Sequence, residues 1–134
     1  RDHCVTGVQT CALPILGDQA AGRKGCRVDF FGRPASVHKA IGVFALSSEA
    51  PVMVCTATRR EGLFSFDLRV EGVMDPRENL PEVEGLTEIS QWYTGLLEEA
   101  VRRRPDQYWW VHRRWRCFPQ PPKQVRSAEE QAVA

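Results

Sequence analysis

The sequence predicts an α/β fold, a partial open sheet flanked by helices, and three stretches carry that expectation. Residues 51–58, PVMVCTAT, are apolar and rich in β-branched side chains, the composition of a central strand buried on both faces. Residues 63–73 alternate Phe64, Phe66, Leu68 and Val70 with Ser65, Asp67, Arg69 and Glu71, the period of two of a half-buried strand. Residues 87–103 read as a helix, with Leu86, Ile89, Trp92, Tyr93, Leu96, Leu97, Ala100 and Val101 on one stripe.

Length and composition bound the rest. A chain of 134 residues holds one domain at most. A formal net charge of +1 supplies no global field for nucleic acid, and 43% hydrophobic residues suit a packed chain. No apolar run reaches the ~20 residues that a membrane helix needs. Cys4, Cys11, Cys26, Cys55 and Cys117 form no C-x-x-C pair, which argues against a zinc site. An odd, scattered set reads as reduced cytosolic thiols.

In chain order, residues 5–15, VTGVQTCALPI, match the in-frame translation of a common sequencing-library adapter. Residues 1–15 therefore read as adapter-derived, with the natural chain starting near Leu16, and are set apart from fold reasoning. Their apolar end still predicts a short buried strand over 12–17, which delivers Asp18 and Gln19 at its carboxyl end. A strand ending in an acid beside a flexible basic loop is how an open α/β sheet builds the edge of a site. Residues 20–26 are that loop, with Gly22 and Gly25 for freedom and Arg23 and Lys24 for charge. Residues 27–31 form a short extended piece, and Pro34 biases Arg33 away from helix.

Ser36 is the expected N-cap of a helix over 37–49. That helix should cross from the first strand to 51–58 in parallel, right-handed fashion. Residues 74–85 form a surface loop. Glu98 with Arg102, and Glu99 with Arg103, are i,i+4 pairs on the wet face of the 87–103 helix. Pro105 breaks that helix and can start another over 106–116, and residues 119–134 read as a disordered tail.

Three segments then fall into register: D-Q-x-x-G from Asp18, F-F-G-x-P-A-S from Phe30, and QYWWVHRRWRCFP at 107–119. In this order and spacing they resemble the C-terminal part of the lipid A biosynthesis acyltransferases. These are lauroyl/myristoyl-type members of the lysophospholipid acyltransferase superfamily. The resemblance runs over about 16–119, so 16–118 reads as the C-terminal part of an acyltransferase domain. It implies an enzyme of lipopolysaccharide biosynthesis. Such an enzyme moves a fatty acyl chain from acyl carrier protein to a lipid A precursor, at the cytoplasmic face of a bacterial inner membrane. It implies no metal and no organic cofactor. Its partners are acyl carrier protein, a glycolipid acceptor and the membrane surface, and no nucleic acid.

The superfamily is marked by His-x-x-x-x-Asp/Glu, in which the imidazole takes the acceptor hydroxyl's proton and the carboxylate holds its tautomer. Here the residues five beyond His3, His38 and His112 are Val8, Val43 and Cys117, so the motif is absent from this sequence. The resemblance places it upstream of the Asp-Gln segment. By that resemblance Asp18 is the catalytic-site residue, with a turn-capping role as its structural alternative. Gln19, Arg23, Lys24, Arg33, Arg59 and Arg60 are candidates for binding a phosphorylated sugar, or else solvated surface groups. Arg59 and Arg60 are expected at the same end of the sheet as Asp18. His112 reads as a structural histidine, and Trp109, Arg113 and Arg116 as a membrane-proximal helix face. Two other readings stay open. One is an acyltransferase of another glycolipid or a lysophospholipid. The other is a non-catalytic module that stacks the 108–116 aromatics on nucleic acid, which the near-zero net charge disfavours.

Overall fold

The chain reverses at Phe31-Gly32, and that reversal sets the first layer. The computed structural model describes residues 12–78 and 85–118. Strands β1 (Cys26–Asp29) and β2 (Pro34–Val37) pair antiparallel, with Cys26 opposite Val37 and Asp29 opposite Pro34. Phe31 and Gly32 both take positive φ, 59° and 69°, the requirement of the tight hairpin turn that matches strand twist. The Asp29 carboxylate accepts the Gly32 N–H at 2.8 Å.

Ser36 lies inside β2, fully buried, and donates its hydroxyl to the Gly22 carbonyl at 2.5 Å. The expected N-cap is thus a strand residue, because a buried hydroxyl takes whichever acceptor its neighbours offer. Gly25 is required where the loop crosses this strand: a Cβ there would lie 2.5 Å from the Val37 carbonyl oxygen. Helix α1 (Ala40–Ser48) follows and buries Gly42 and Ala45. Glu49 ends it in the left-handed region, and the Ala50 N–H returns to the Ala45 carbonyl at 3.2 Å.

The expected strand over 12–17 is not formed, and Leu13, Ile15 and Leu16 are exposed. Every named strand among the described residues is already paired within a hairpin, and near this segment only Ala20 makes a single bridge, to Val37. Among the described residues there is no parallel crossover either, since α1 links β2 to β3 in a different sheet.

Strands β3 (Val52–Arg59) and β4 (Phe66–Met74) stand where expected and pair antiparallel, with an irregularity at Val54/Cys55. β3 is not buried on both faces, and the Phe64, Phe66, Leu68 and Val70 side expected to half-bury β4 is open, because no element packs over it among the described residues. Val54 and Met74 are buried, whereas Met53, Phe66, Leu68, Val70 and Val73 are exposed. The α/β class holds, as two antiparallel two-stranded sheets with two helices.

Helix α2 (Leu86–Arg103) is the spine of the core. Ile89, Tyr93 and Val101 are buried, with Leu86, Trp92, Leu96 and Leu97 packed against the same cluster. Its buried Ser and Thr hydroxyls satisfy themselves one turn back, Ser90 to the Leu86 carbonyl at 2.7 Å and Thr94 to the Ser90 carbonyl at 2.6 Å. Glu98 meets Arg102 at 2.5 Å, but Arg103 turns from Glu99 to Glu71 of β4, at 2.5 Å.

The expected helix over 106–116 is reduced to a 3-10 turn, Pro105–Gln107, followed by turns as far as residue 118. Tertiary contacts override the pattern: Tyr108, Arg114 and Trp115 all engage the β1–β2 turn, which a regular helix face would not allow. Most of the adapter-like stretch, the 79–84 part of the loop before α2 and the 119–134 tail lie outside the described residues. Cys26, Cys55 and Cys117 are free thiols.

Candidate active site

The second and third motif segments meet at Phe30, which is completely buried, and the third also holds the first. Trp115 stacks on its ring, with centroids 5.7 Å apart at 26°, and donates its indole N–H to the Phe30 carbonyl at 3.1 Å. The Arg114 guanidinium also lies over the Phe30 ring, 4.4 Å from its centroid. Phe31 stands edge-on to Phe30 at 4.7 Å, and its backbone N–H donates to Glu98 Oε2 at 2.6 Å. Tyr108 closes the cluster, 6.1 Å from Phe30.

From this cluster the C-terminal segment reaches the Asp18 turn. Arg114, only 1% exposed, donates Nη1 to the Asp18 carbonyl. The Ala20 N–H donates to His112 Nε2 at 2.8 Å, so the histidine is satisfied and that nitrogen is occupied. The Asp18 side chain is exposed beside them. Burial pushes the Tyr108 phenol up; the Arg114 charge opposes that rise and the Asp18 charge adds to it. Burial likewise pushes the Tyr93 phenol up, to about 12.

The other expected site residues divide. Gln19 is exposed on the same turn. Arg23 and Lys24 lie exposed on the 3-10 turn Gly22–Lys24 that follows it. Arg33 lies 5.0 Å over the Trp115 ring, so its guanidinium caps the motif cluster. Arg59 and Arg60 belong to a second place, an open cleft of about 620 Å³ lined by Arg59, Arg60, Glu61, Arg104 and Gln107. Gln107 there holds the Arg59 backbone at both its N–H, 2.6 Å, and its carbonyl, 2.9 Å. Arg60 pairs with Asp67 at 3.3 Å. None of the Asp18-turn residues lines that cleft. The strand that was to bring the two groups to one sheet edge is the one not formed.

Sequence reasoning passed over Arg114. In the string H-R-R-W it looks like one more surface cation, and only its burial sets it apart.

A model of the bacterial lipid A biosynthesis acyltransferase family matches residues 10–127 and so takes in all three motif segments. The chain belongs to that family. It is 28% identical over 114 residues to the lipid A biosynthesis palmitoleoyltransferase of Escherichia coli (strain K12). The same identity and length relate it to the lipid A biosynthesis acyltransferase of Shigella flexneri. Each match takes in 81% of this chain and 34% of the relative, so the chain spans about a third of the length of these lipid A acyltransferases. Among the described residues no helix is long and apolar enough to cross a membrane.

Proposed function

We propose that this chain is the C-terminal part of an acyltransferase that moves a fatty acyl chain from acyl carrier protein to a lipid A precursor. It would work at the cytoplasmic face of a bacterial inner membrane. The observation that carries the reading is the meeting of the three motif segments: Arg114 and Trp115 grip Phe30, and the same segment holds the Asp18 turn. Asp18 is the acidic group of the site, exposed and available to orient an imidazolium or another cation. Arg23 and Lys24 on the turn that follows it, with Arg33 over Trp115, supply cations for a phosphorylated sugar, Arg with its planar fork. Arg59 and Arg60 offer a second cationic surface for the headgroup. The domain limits follow the same reading, with 16–118 as acyltransferase domain, 1–15 as adapter-derived sequence and 119–134 as tail.

The chain by itself should not turn over. Sugar hydroxyls are very weak acids, and a positioned base contributes ~10²–10⁴-fold in such transfers. No histidine here has an acidic residue at the family spacing, and His112 Nε2 already accepts the Ala20 N–H. Acyl transfer from labelled acyl carrier protein to a lipid A precursor by the purified chain should equal the protein-free blank. Turnover that Asp18→Ala abolishes would overturn this. The acceptor reading is tested separately, by titrating a glucosamine phosphate into the labelled chain. Amide shifts should move at residues 18–24 and 33 and weaken in Arg23→Ala/Lys24→Ala; a flat response would remove the phosphosugar assignment.

A further inference from the structure

Among the described residues, four side-chain polar atoms are buried without a hydrogen-bond partner, and two of them are Nε and Nη2 of Arg114. The other two are the Tyr93 and Tyr108 hydroxyls, both within the electrostatic reach of that guanidinium. No carboxylate among the described residues pairs with Arg114; its one hydrogen bond goes to the Asp18 carbonyl. A buried charge with unfilled donors costs stability, and an apolar side chain of similar volume often does better in such a place. Arg114 is therefore poorly explained as a stabilising residue.

What it does is geometric. Arg114 takes the carbonyl on one side of Gln19, and His112, two residues away, takes the amide N–H on the other. These bonds span 96 and 92 residues of sequence. Phe30 supports the clamp from below, through its ring under Arg114 and through its carbonyl to Trp115. The opposite side of the turn is tied by the bridge from Ala20 to Val37 and by the Ala21 N–H to the Ser36 carbonyl at 3.4 Å. With its backbone fixed before and after Gln19, the turn leaves Asp18 only its own side-chain rotamers. A reactive group works best when held in this way by supporting residues.

We infer that His112 and Arg114 are positioning residues, a two-point clamp that fixes the direction in which Asp18 is presented. The clamp needs a lone pair on Nε2, so His112 carries its proton on Nδ1. The inference rests on Asp18 being a site residue. Its test reads the clamp alone, while the phosphosugar titration reads the site alone, so the two can fail separately.

The experiment is amide hydrogen exchange and imidazole ¹⁵N NMR on the full chain. In the wild type the Ala20 amide should be protected and His112 should show the Nδ1–H tautomer. Arg114→Met keeps apolar packing over Phe30 and removes the bond to Asp18. It should leave the melting temperature equal or higher while Ala20 exchanges roughly tenfold faster, the scale of one lost hydrogen bond. His112→Phe should do the same at Ala20, and His112→Gln, which keeps an acceptor near the Nε2 position, should restore protection. Free exchange of Ala20 in the wild type, or unchanged exchange in both Arg114→Met and His112→Phe, would overturn the clamp. So would a uniform rise across α2 with a fallen melting temperature in Arg114→Met, which would make Arg114 an ordinary core residue.

Discussion

The β1–β2 hairpin and the β3–β4 hairpin share a topology and differ in what covers them. In the first, Cys26, Val28, Phe30, Ala35, Ser36 and Val37 are all buried, under α2 and the aromatic segment after it. In the second, Leu63, Phe64, Phe66 and Leu68 stand open, Leu68 at 81% exposure. β3 carries the more apolar sequence, so hydrophobicity alone does not decide burial. The difference lies in long-range partners. Distant residues return to β1–β2: Gln91 to Asp29, Glu98 to Phe31, Trp115 to Phe30. The β3–β4 pair is held at its margins, where Gly72 lies against Leu96, Glu71 meets Arg103 and Gln107 bonds the Arg59 backbone, and these contacts leave Phe66, Leu68 and Val70 exposed. A two-stranded hairpin is at best marginal alone, so this second hairpin depends on α2 for its place.

The largest effect that would break the contrast is a matched pair of truncations. Phe30→Ala removes the ring on which Arg114, Trp115, Tyr108 and Phe31 converge, and should cost ~3–5 kcal/mol in denaturant unfolding. Phe66→Ala, at 55% exposure in β4, should stay within about 0.5 kcal/mol. Equal losses would show that the second hairpin is packed after all.

A smaller change in stability should accompany a clear change in association. Leu68→Thr introduces a β-branched, strand-favouring residue and removes an exposed apolar one from an open sheet. Sedimentation velocity should show less self-association than in the wild type, with unfolding shifted by no more than about 0.5 kcal/mol. If association is unaltered, the open face of β3–β4 is not what drives it.

The smallest effect is in the response to acid, and it compares the two attachments. Burial raises the Glu71 carboxyl, but the Thr56 hydroxyl, Arg103 and Arg69 together outweigh it, so the net shift is downward. Burial likewise raises Glu98, and the Phe31 N–H and Arg102 outweigh it. A carboxyl held lower in the folded than in the unfolded chain stabilises above the unfolded value. That contribution is lost as pH falls through the folded one. The melting temperature should therefore drop below about pH 5, and Glu98→Gln and Glu71→Gln should each flatten the drop. An unchanged slope in both would remove these carboxylates from the acid response.

How much was legible in advance can be argued from these same residues. The α2 stripe was readable because a period near 3.6 is a local property, and Ile89, Tyr93 and Val101 are buried where the stripe put them. The alternation of 63–73 placed β4 to within a few residues, and the composition of 51–58 placed β3. The motif strings were enough to point to the family, since a string survives whatever its residues touch. The Asp18 turn could be found, but not what holds it.

The sequence by itself determined where α2, β3 and β4 lie, and which family's motifs the chain carries. Tertiary structure alone decided which strands pair, that 12–17 stays unpaired, that 108–118 folds as turns, and that Arg114 rather than its neighbour Arg113 goes inside. The physical reason is range. Periodicity records which side of an element is apolar, a matter of the next few residues. Pairing and the burial of one arginine among several depend on Asp18 and Phe30, which lie 96 and 84 positions before Arg114 and meet it only once the chain has closed.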